Sequence, residues 1–202
     1  SICGTAQHRL MLDQVLRLFH IEPDIDLDLM EADQSLAQLS ARIFKTFDPV
    51  LEQLKPDWVL VQGDTTTVMI AALCAFYRAI KVGHVEAGLR THDRAQPFPE
   101  ELNRRVASVV ADLHFAPTQQ SKRNLLAEGI EKWRVVVTGN PVIDALNIIS
   151  AVPAPLEISD MLSRLGVANG SKKMILVTAH RRENFGKPIL EICEAIRRLA
   201  KN

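Results

Sequence analysis

Residues 57–91 decide the fold; they read DWVLVQGDTTT, then VMIAALCAFYRAI, then KVGHVEAGLRT. The pattern predicts a buried strand, a polar turn, an apolar helix, a second strand and a second polar turn. Each turn carries a carboxylate, Asp64 or Glu86, at or just past the C-terminal end of its strand. Because open α/β sheets bind ligands at that end of their strands, we expect the functional site there.

Strands and helices alternate along the whole chain, which predicts an α/β fold with a doubly wound, Rossmann-like parallel sheet. Residues 58–61 show no polar alternation, as expected for a strand that is covered on both faces. The apolar residues Leu36, Leu39, Ile43, Phe47 and Val50 should form the core stripe of one helix. The predicted strands are 2–5, 58–61, 81–86, 113–116, 134–137 and 174–178, and the predicted helices are 11–19, 34–54, 66–78, 99–110, 118–128, 141–150, 157–165 and 188–200.

The domain organisation follows from a linker-like segment, AVPAP at 151–155. We predict a first domain over 1–150, a linker over 151–170 and the beginning of a second domain over 171–202. The chain opens without Met, within a predicted strand, which suggests a fragment of a longer protein.

Composition excludes several partners. Lys plus Arg and Asp plus Glu each number 24, so the net charge is zero and neither nucleic acid nor an anionic membrane is an expected partner. The longest apolar run, 68–77, is well short of the roughly 20 residues of a membrane span. Three dispersed cysteines, Cys3, Cys74 and Cys193, suit free thiols in a reducing cytoplasm.

The two turns of the central stretch each allow two interpretations. Gly63–Thr67 could hold an anion at a helix N-terminus, or could be an ordinary helix cap. His84 and Glu86 share one face of a strand, which suits an acid–base pair or a satisfied polar pair. No further ligand has convincing spacing, so we predict no metal. Arg90 could contact a phosphate or form a surface ion pair.

A third carboxylate opens the helix that begins at Pro99. Glu100 lies in the first helical turn, where the helix dipole favours a negative charge, as a proton-abstracting base requires. The alternative is surface stabilisation, because Glu100–Arg104 and Glu101–Arg105 are i,i+4 pairs.

Basic loops follow two predicted strands. His180, Arg181 and Arg182 lie between a strand and a helix N-terminus, which suits a diphosphate cradle or a solvated loop. His8 with Arg9 is a weaker version of the same pattern.

Motifs spread over the whole chain carry a family resemblance. They are TAQHR (5–9), MLDQVL (11–16), GDTTT (63–67), AFY (75–77), VGHVEAGLRT (82–91), PFPEE (97–101), NR (103–104), DLHFAPT (112–118), TGN (138–140), VIDAL (142–146) and MILVTAHRREN (174–184). Together they resemble UDP-N-acetylglucosamine 2-epimerase of the non-hydrolysing bacterial type. The resemblance implies the N-terminal domain and the start of the second domain of a glycosyltransferase-B-type architecture, without the first strand and helix of that family.

The resemblance also implies a reaction. The family interconverts UDP-N-acetylglucosamine and UDP-N-acetylmannosamine for cell-surface polysaccharide synthesis. The C2 proton is removed with loss of UDP, and UDP adds back after a proton returns on the other face. No cofactor and no metal is required. UDP-N-acetylglucosamine and UDP are the implied partners, in a cytoplasmic homodimer.

Site residues are transferred to the matching positions of this sequence. The predicted catalytic residues are Asp64, Glu86, Glu100 and His180, and the predicted substrate-binding residues are Arg90, Arg104, Gly139, Asn140, Arg181, Arg182, Gln7 and His8.

Two alternatives stay open. A hydrolysing relative would release free N-acetylmannosamine and UDP. The 202-residue chain could instead be a non-catalytic fragment, whose unpaired sheet edge would cause dimerisation or aggregation.

Overall fold

The computed structural model describes residues 1–5, 9–29, 31, 34–178 and 186–200. The chain divides into two compact units, Ser1–Leu146 and Asn147–Asn202. The predicted domain limits at 150 and 170 stay predictions.

The first unit is a parallel α/β fold, which confirms the predicted fold class. Its main sheet has the order β3-β4-β5-β6, all parallel, and β1 and β2 form a separate parallel pair. The elements are β1 Cys3–Gly4, α1 Arg9–Leu18, β2 Ile25–Asp26, α2 Leu36–Leu54, β3 Trp58–Gln62, α3 Thr66–Tyr77, β4 Lys81–Val85, α4 Glu100–Val110, β5 Leu113–Ala116, α5 Gln119–Ala127, a 3₁₀ turn at Lys132–Arg134, β6 Val135–Val137 and α6 Pro141–Ser150, which crosses into the second unit.

Helix α2 shows how local sequence sets an element. Ser35 caps its N-terminus in a capping box with Gln38, and its end at Leu54 is followed by Lys55 in the left-handed region. Its buried stripe is Leu39, Ile43, Phe47 and Leu51, whereas the predicted stripe members Leu36 and Val50 are exposed and half-buried.

The register of the sheet separates two faces. Val61, His84, His114 and Val135 form one cross-strand row, and all four are buried. We call the side of this row the covered face, because the buried core shared with α2, α3 and α4 lies against it. The opposite side, here called the open face, carries the alternate residues Trp58, Leu60, Phe115 and Val136.

The prediction that β3 is covered on both faces is wrong. Leu60, on the open face, is 66% exposed, whereas its neighbour Val61 is buried. Within the described part of the chain, β3 is therefore covered on one face only, although it contains an apolar run.

A groove of about 870 Å³ runs beside β3, between this strand and β1, with walls from α2 and α3.

The free edge of β3 leads to a prediction about association. We expect the 202-residue chain to self-associate as concentration rises, because Leu60 presents apolar surface on a strand that pairs with β4 alone among the described residues. Light scattering should give a mass above that of one chain, and Leu60→Lys should lower it. Gln120→Lys, at an exposed position on α5, is the charge-matched control. A monomer with one cooperative melting transition would contradict the prediction.

Two histidines lie side by side in the sheet. His84 of β4 and His114 of β5 are register partners, and both are fully buried. His84 Nε2 donates to the carbonyl oxygen of Gly63 at 2.8 Å, so its proton is on Nε2. Burial lowers the pKa of both imidazoles, that of His114 to about 4. Both rings are therefore neutral at pH 7.

This pair makes stability depend on pH. The unfolded chain has a histidine pKa of about 6.5, so between about pH 6.5 and 4 it binds protons that folded His114 does not. The free energy of unfolding should fall as pH falls through this window, by at most about 3 kcal/mol from His114. Urea denaturation at pH 7, 5.5 and 4.5 measures it. His114→Leu should reduce the slope, and equal slopes would refute the assignment.

The second unit is mostly helical in its described part. It contains the end of α6, then α7 Leu156–Arg164 and α8 Lys187–Leu199. The predicted strand at 174–178 is wrong: these residues form no strand, and Leu176 is 82% exposed. A strand needs a paired neighbour, and no described segment pairs with this one. None of the helices in the described ranges is both long and apolar enough to cross a membrane.

Candidate functional site

The turn between β3 and α3 places Asp64 at the C-terminal end of the sheet. Gly63, with φ +84°, makes the turn, and the Thr65 hydroxyl caps α3 by accepting from the Val68 amide at 3.3 Å. The helix-cap interpretation of this turn is therefore correct for Thr65. The Asp64 carboxylate accepts from Arg104 Nη2 at 2.5 Å.

Glu86 lies in the neighbouring turn, just past the end of β4. Its backbone is in the left-handed region, with φ +66°, which is uncommon for a residue with a side chain. A Cβ placed on Gly63 would lie 3.7 Å from Glu86 Oε2, so the Glu86 carboxylate lies next to the turn that carries Asp64. The predicted shared strand face of His84 and Glu86 is wrong, because β4 ends at Val85 and His84 is buried against Gly63.

The start of α4 supplies Glu100 and Glu101. Pro99 is the residue before the helix rather than its first residue, which corrects the prediction. Glu100 is half-buried, and its Oε2 has no partner among the described residues. The predicted i,i+4 pairs Glu100–Arg104 and Glu101–Arg105 are not observed. Arg104 instead binds Asp64 and Glu101. Arg105 lies 3.8 Å from Glu128.

Asn140 connects the β6–α6 turn to Glu86. Its Nδ2 donates to Glu86 Oε1 at 2.9 Å, and its Oδ1 accepts from the Val142 amide at 3.0 Å. The preceding Gly139, with φ +82°, forms the turn. The substrate contacts predicted for Gly139 and Asn140 stay predictions; what the geometry shows is that Asn140 holds a carboxylate in place.

Arg90 is used inside the protein. Its guanidinium donates to both Glu128 oxygens, at 2.8 and 2.7 Å, and to Ser108 Oγ at 3.0 Å, and its side chain is fully buried. These hydrogen bonds hold the pKa of the Glu128 carboxyl below its usual value. The predicted substrate contact of Arg90 gains no support from this arrangement.

Five of the predicted site residues lie outside the part of the chain that the structure describes. These undescribed residues are Gln7, His8, His180, Arg181 and Arg182. Within the described ranges no group of three or more His, Cys, Asp or Glu side chains is arranged to hold a metal ion.

Sequence reasoning did not select Glu101 and Asn103. Glu101 is fully buried and accepts from the Thr91 amide at 3.1 Å, and Asn103 Nδ2 donates to the Asp64 carbonyl at 2.9 Å. The spacing of Glu101, Arg104 and Ser108, i, i+3 and i+7, could have shown that polar groups share one helix face.

Gly88, in the turn after Glu86, gives a stability prediction. A Cβ at Gly88 would overlap the Ser121 carbonyl of α5, and the φ of +89° adds strain for any other residue. Gly88→Ala should lower the free energy of unfolding by at least about 3 kcal/mol. Gly129→Ala is the matched control: φ is +88° and no described atom lies within 4 Å of its Cβ, so the loss should be about 1 kcal/mol. Equal losses in urea denaturation would refute the clash.

Carboxylates from three segments thus lie at the C-terminal end of a parallel sheet, with arginine and asparagine side chains fixing two of them. This arrangement defines an α/β protein with a candidate acid–base site. The family model described as UDP-N-acetylglucosamine 2-epimerase matches residues 1–202, so the chain belongs to that family.

Individual relatives agree with this assignment. A protein of Clostridium acetobutylicum is 53% identical over 201 residues, which cover 100% of this chain and 51% of that protein. The UDP-N-acetylglucosamine 2-epimerase of Yersinia pestis is 50% identical, over 99% of this chain and 54% of its own length. The crystal structure of the Neisseria meningitidis enzyme bound to UDP-GlcNAc matches with a TM-score of 0.91 and 50% identity, covering 100% of this chain and 54% of that one. The chain therefore spans about half the length of these relatives.

Proposed function

We propose that the whole protein that carries this sequence is a UDP-N-acetylglucosamine 2-epimerase, an isomerase that interconverts UDP-N-acetylglucosamine and UDP-N-acetylmannosamine. The observation that carries the proposal is the position of Asp64 and Glu86 in adjacent turns, each held by a side chain from another segment. Family membership over the full 202 residues supports the same activity.

The reaction needs groups that take and give a proton at a carbon atom. One carboxylate takes the C2 proton of the sugar while the C1–O bond to UDP breaks, which leaves a C1–C2 double bond. A proton is then returned to C2 on the opposite face, and an oxygen of UDP re-forms the bond to C1. Protons and charge balance over the cycle, so no redox partner is consumed. Asp64, Glu86 and Glu100 are the proposed acid–base groups.

The environments of the carboxylates differ in ways that suit different tasks. Asp64 is paired with a cation, Arg104, whereas Glu86 accepts from the neutral amide of Asn140. Glu100 Oε2 has no partner in the described part of the chain. Carboxylates in unlike surroundings can divide the roles of acid and base within one site.

The diphosphate of UDP needs cationic or N–H partners, which we propose are His180, Arg181 and Arg182.

We also propose that the whole protein is a homodimer in the cytoplasm. The three cysteines, Cys3, Cys74 and Cys193, are odd in number and far apart in the sequence, a pattern that suits free thiols in a reducing compartment.

Solvent exchange at C2 tests the function. The whole protein is incubated with UDP-N-acetylglucosamine in D₂O, and NMR follows C2 and free UDP. We expect deuterium at C2 in both epimers. Asp64→Asn, Glu86→Gln and Glu100→Gln should each lower the exchange rate at least about 100-fold, which is the usual size of an acid–base contribution.

Three outcomes separate the alternatives. Free N-acetylmannosamine as the main product would identify a hydrolysing enzyme instead. No epimer and no exchange in the whole protein would refute the proposal. Exchange by the 202-residue chain alone would show that the carboxylates act without the rest of the protein.

A further inference from the structure

One buried carboxylate close to the site has no role in the mechanism above. Glu101 lies in the first turn of α4 and is fully buried, unlike the half-buried Glu100 beside it. A buried carboxylate is unfavourable unless charged or N–H partners compensate for lost hydration. The partners of Glu101 therefore indicate what this charge does.

Glu101 Oε2 binds two groups on different segments. It accepts from the Thr91 amide, in the loop after Glu86, at 3.1 Å. It also lies 3.3 Å from Arg104 Nη1, one turn further along α4. Its other oxygen has no partner among the described residues, so Oε2 makes both interactions.

Arg104 divides its guanidinium between two carboxylates. Nη1 faces Glu101, and Nη2 donates to Asp64 at 2.5 Å. Arg104 Nε has no partner in the described part of the chain, so these two ion pairs are what fixes the plane of the guanidinium. The Arg104 side chain is 11% exposed and that of Glu101 is fully buried, so water does little to screen the pair that they form.

We propose that Glu101 is a positioning residue, which orients Arg104 against Asp64 and ties the loop at Thr91 to the start of α4. The turn with Asp64 and the loop after Glu86 are then fixed to one helix through a single buried carboxylate. This inference rests on the proposed function, in which Asp64 is one of the proposed acid–base groups.

Asn103 adds a separate contact to the same turn. It is buried, and its Nδ2 donates to the Asp64 carbonyl at 2.9 Å. The backbone of Asp64 is thus held by Asn103 and its side chain by Arg104. Loss of Glu101 should leave the backbone in place and release the side chain, so kcat should change more than folding does.

The test compares Glu101→Gln with Glu101→Ala in the whole protein. Gln keeps an oxygen for the Thr91 amide and loses the charge that faces Arg104. We expect kcat of Glu101→Gln to fall at least about tenfold with KM within about twofold, and Tm to fall less than in Glu101→Ala, because the Gln side chain keeps the contact with the Thr91 amide. Glu101→Ala should lower both kcat and Tm, because it also releases the loop.

A double-mutant cycle tests whether Glu101 acts through Arg104. If it does, Glu101→Gln should cause little further loss of kcat in an Arg104→Ala background. Ser121→Ala, a buried polar change on α5, is the control and should lower Tm without changing kcat.

Each result has a separate meaning. Wild-type kcat in Glu101→Gln, or additive losses in the cycle, would refute the positioning role while leaving the epimerase function intact. An inactive wild-type protein would refute the function itself. A rise in KM with unchanged kcat would also overturn the inference.

Discussion

The parallel register between β3 and β4 is the constraint on which the site depends. It pairs Gln62 with Val85, the last residues of the two strands, so both chains turn at the same level. The Gly63 amide then donates to the Val85 carbonyl at 3.1 Å, which continues the pairing into the turn. A shift of one residue would turn Val61 and His84 to opposite faces. Core burial and the juxtaposition of Asp64 and Glu86 therefore have the same cause.

Helix α4 shows that a polar helix face can be the buried one. Two of its apolar residues, Leu102 and Val109, are 47% and 79% exposed, whereas Glu101, Asn103 and Ser108 are buried together with Ala107. The usual rule for amphipathic helices would orient α4 the other way round. The polar face is buried because it satisfies groups at the ends of the strands, such as the Asp64 carbonyl and the Thr91 amide. Specific hydrogen bonds thus act together with the burial of Ala107 in setting the rotation of this helix.

The sequence was sufficient to predict the parallel α/β fold, the α-helices and strands of the first unit except the short strand β2, and the turns that carry Asp64 and Glu86, because these follow from local periodicity and turn chemistry. It was not sufficient to predict which strands and side chains contact one another. The strand predicted at 174–178 and the burial predicted for Leu60 both depend on neighbours, which an apolar run does not specify. The i,i+4 pairs of α4 failed for a related reason, since Asp64 competes for Arg104 at closer range.

The carboxylates differ in how much of the chain must fold before they are in place. Asp64 is held by Arg104, 40 positions away, and Glu86 by Asn140, 54 positions away. Glu86 also has a left-handed backbone, a strain that surrounding contacts must offset. Local opening of the β6–α6 turn would release the Glu86 side chain while the Asp64 turn stays capped and paired. The precision of the site at Glu86 therefore depends on the stability of the β6–α6 turn, a segment that carries none of the proposed acid–base carboxylates.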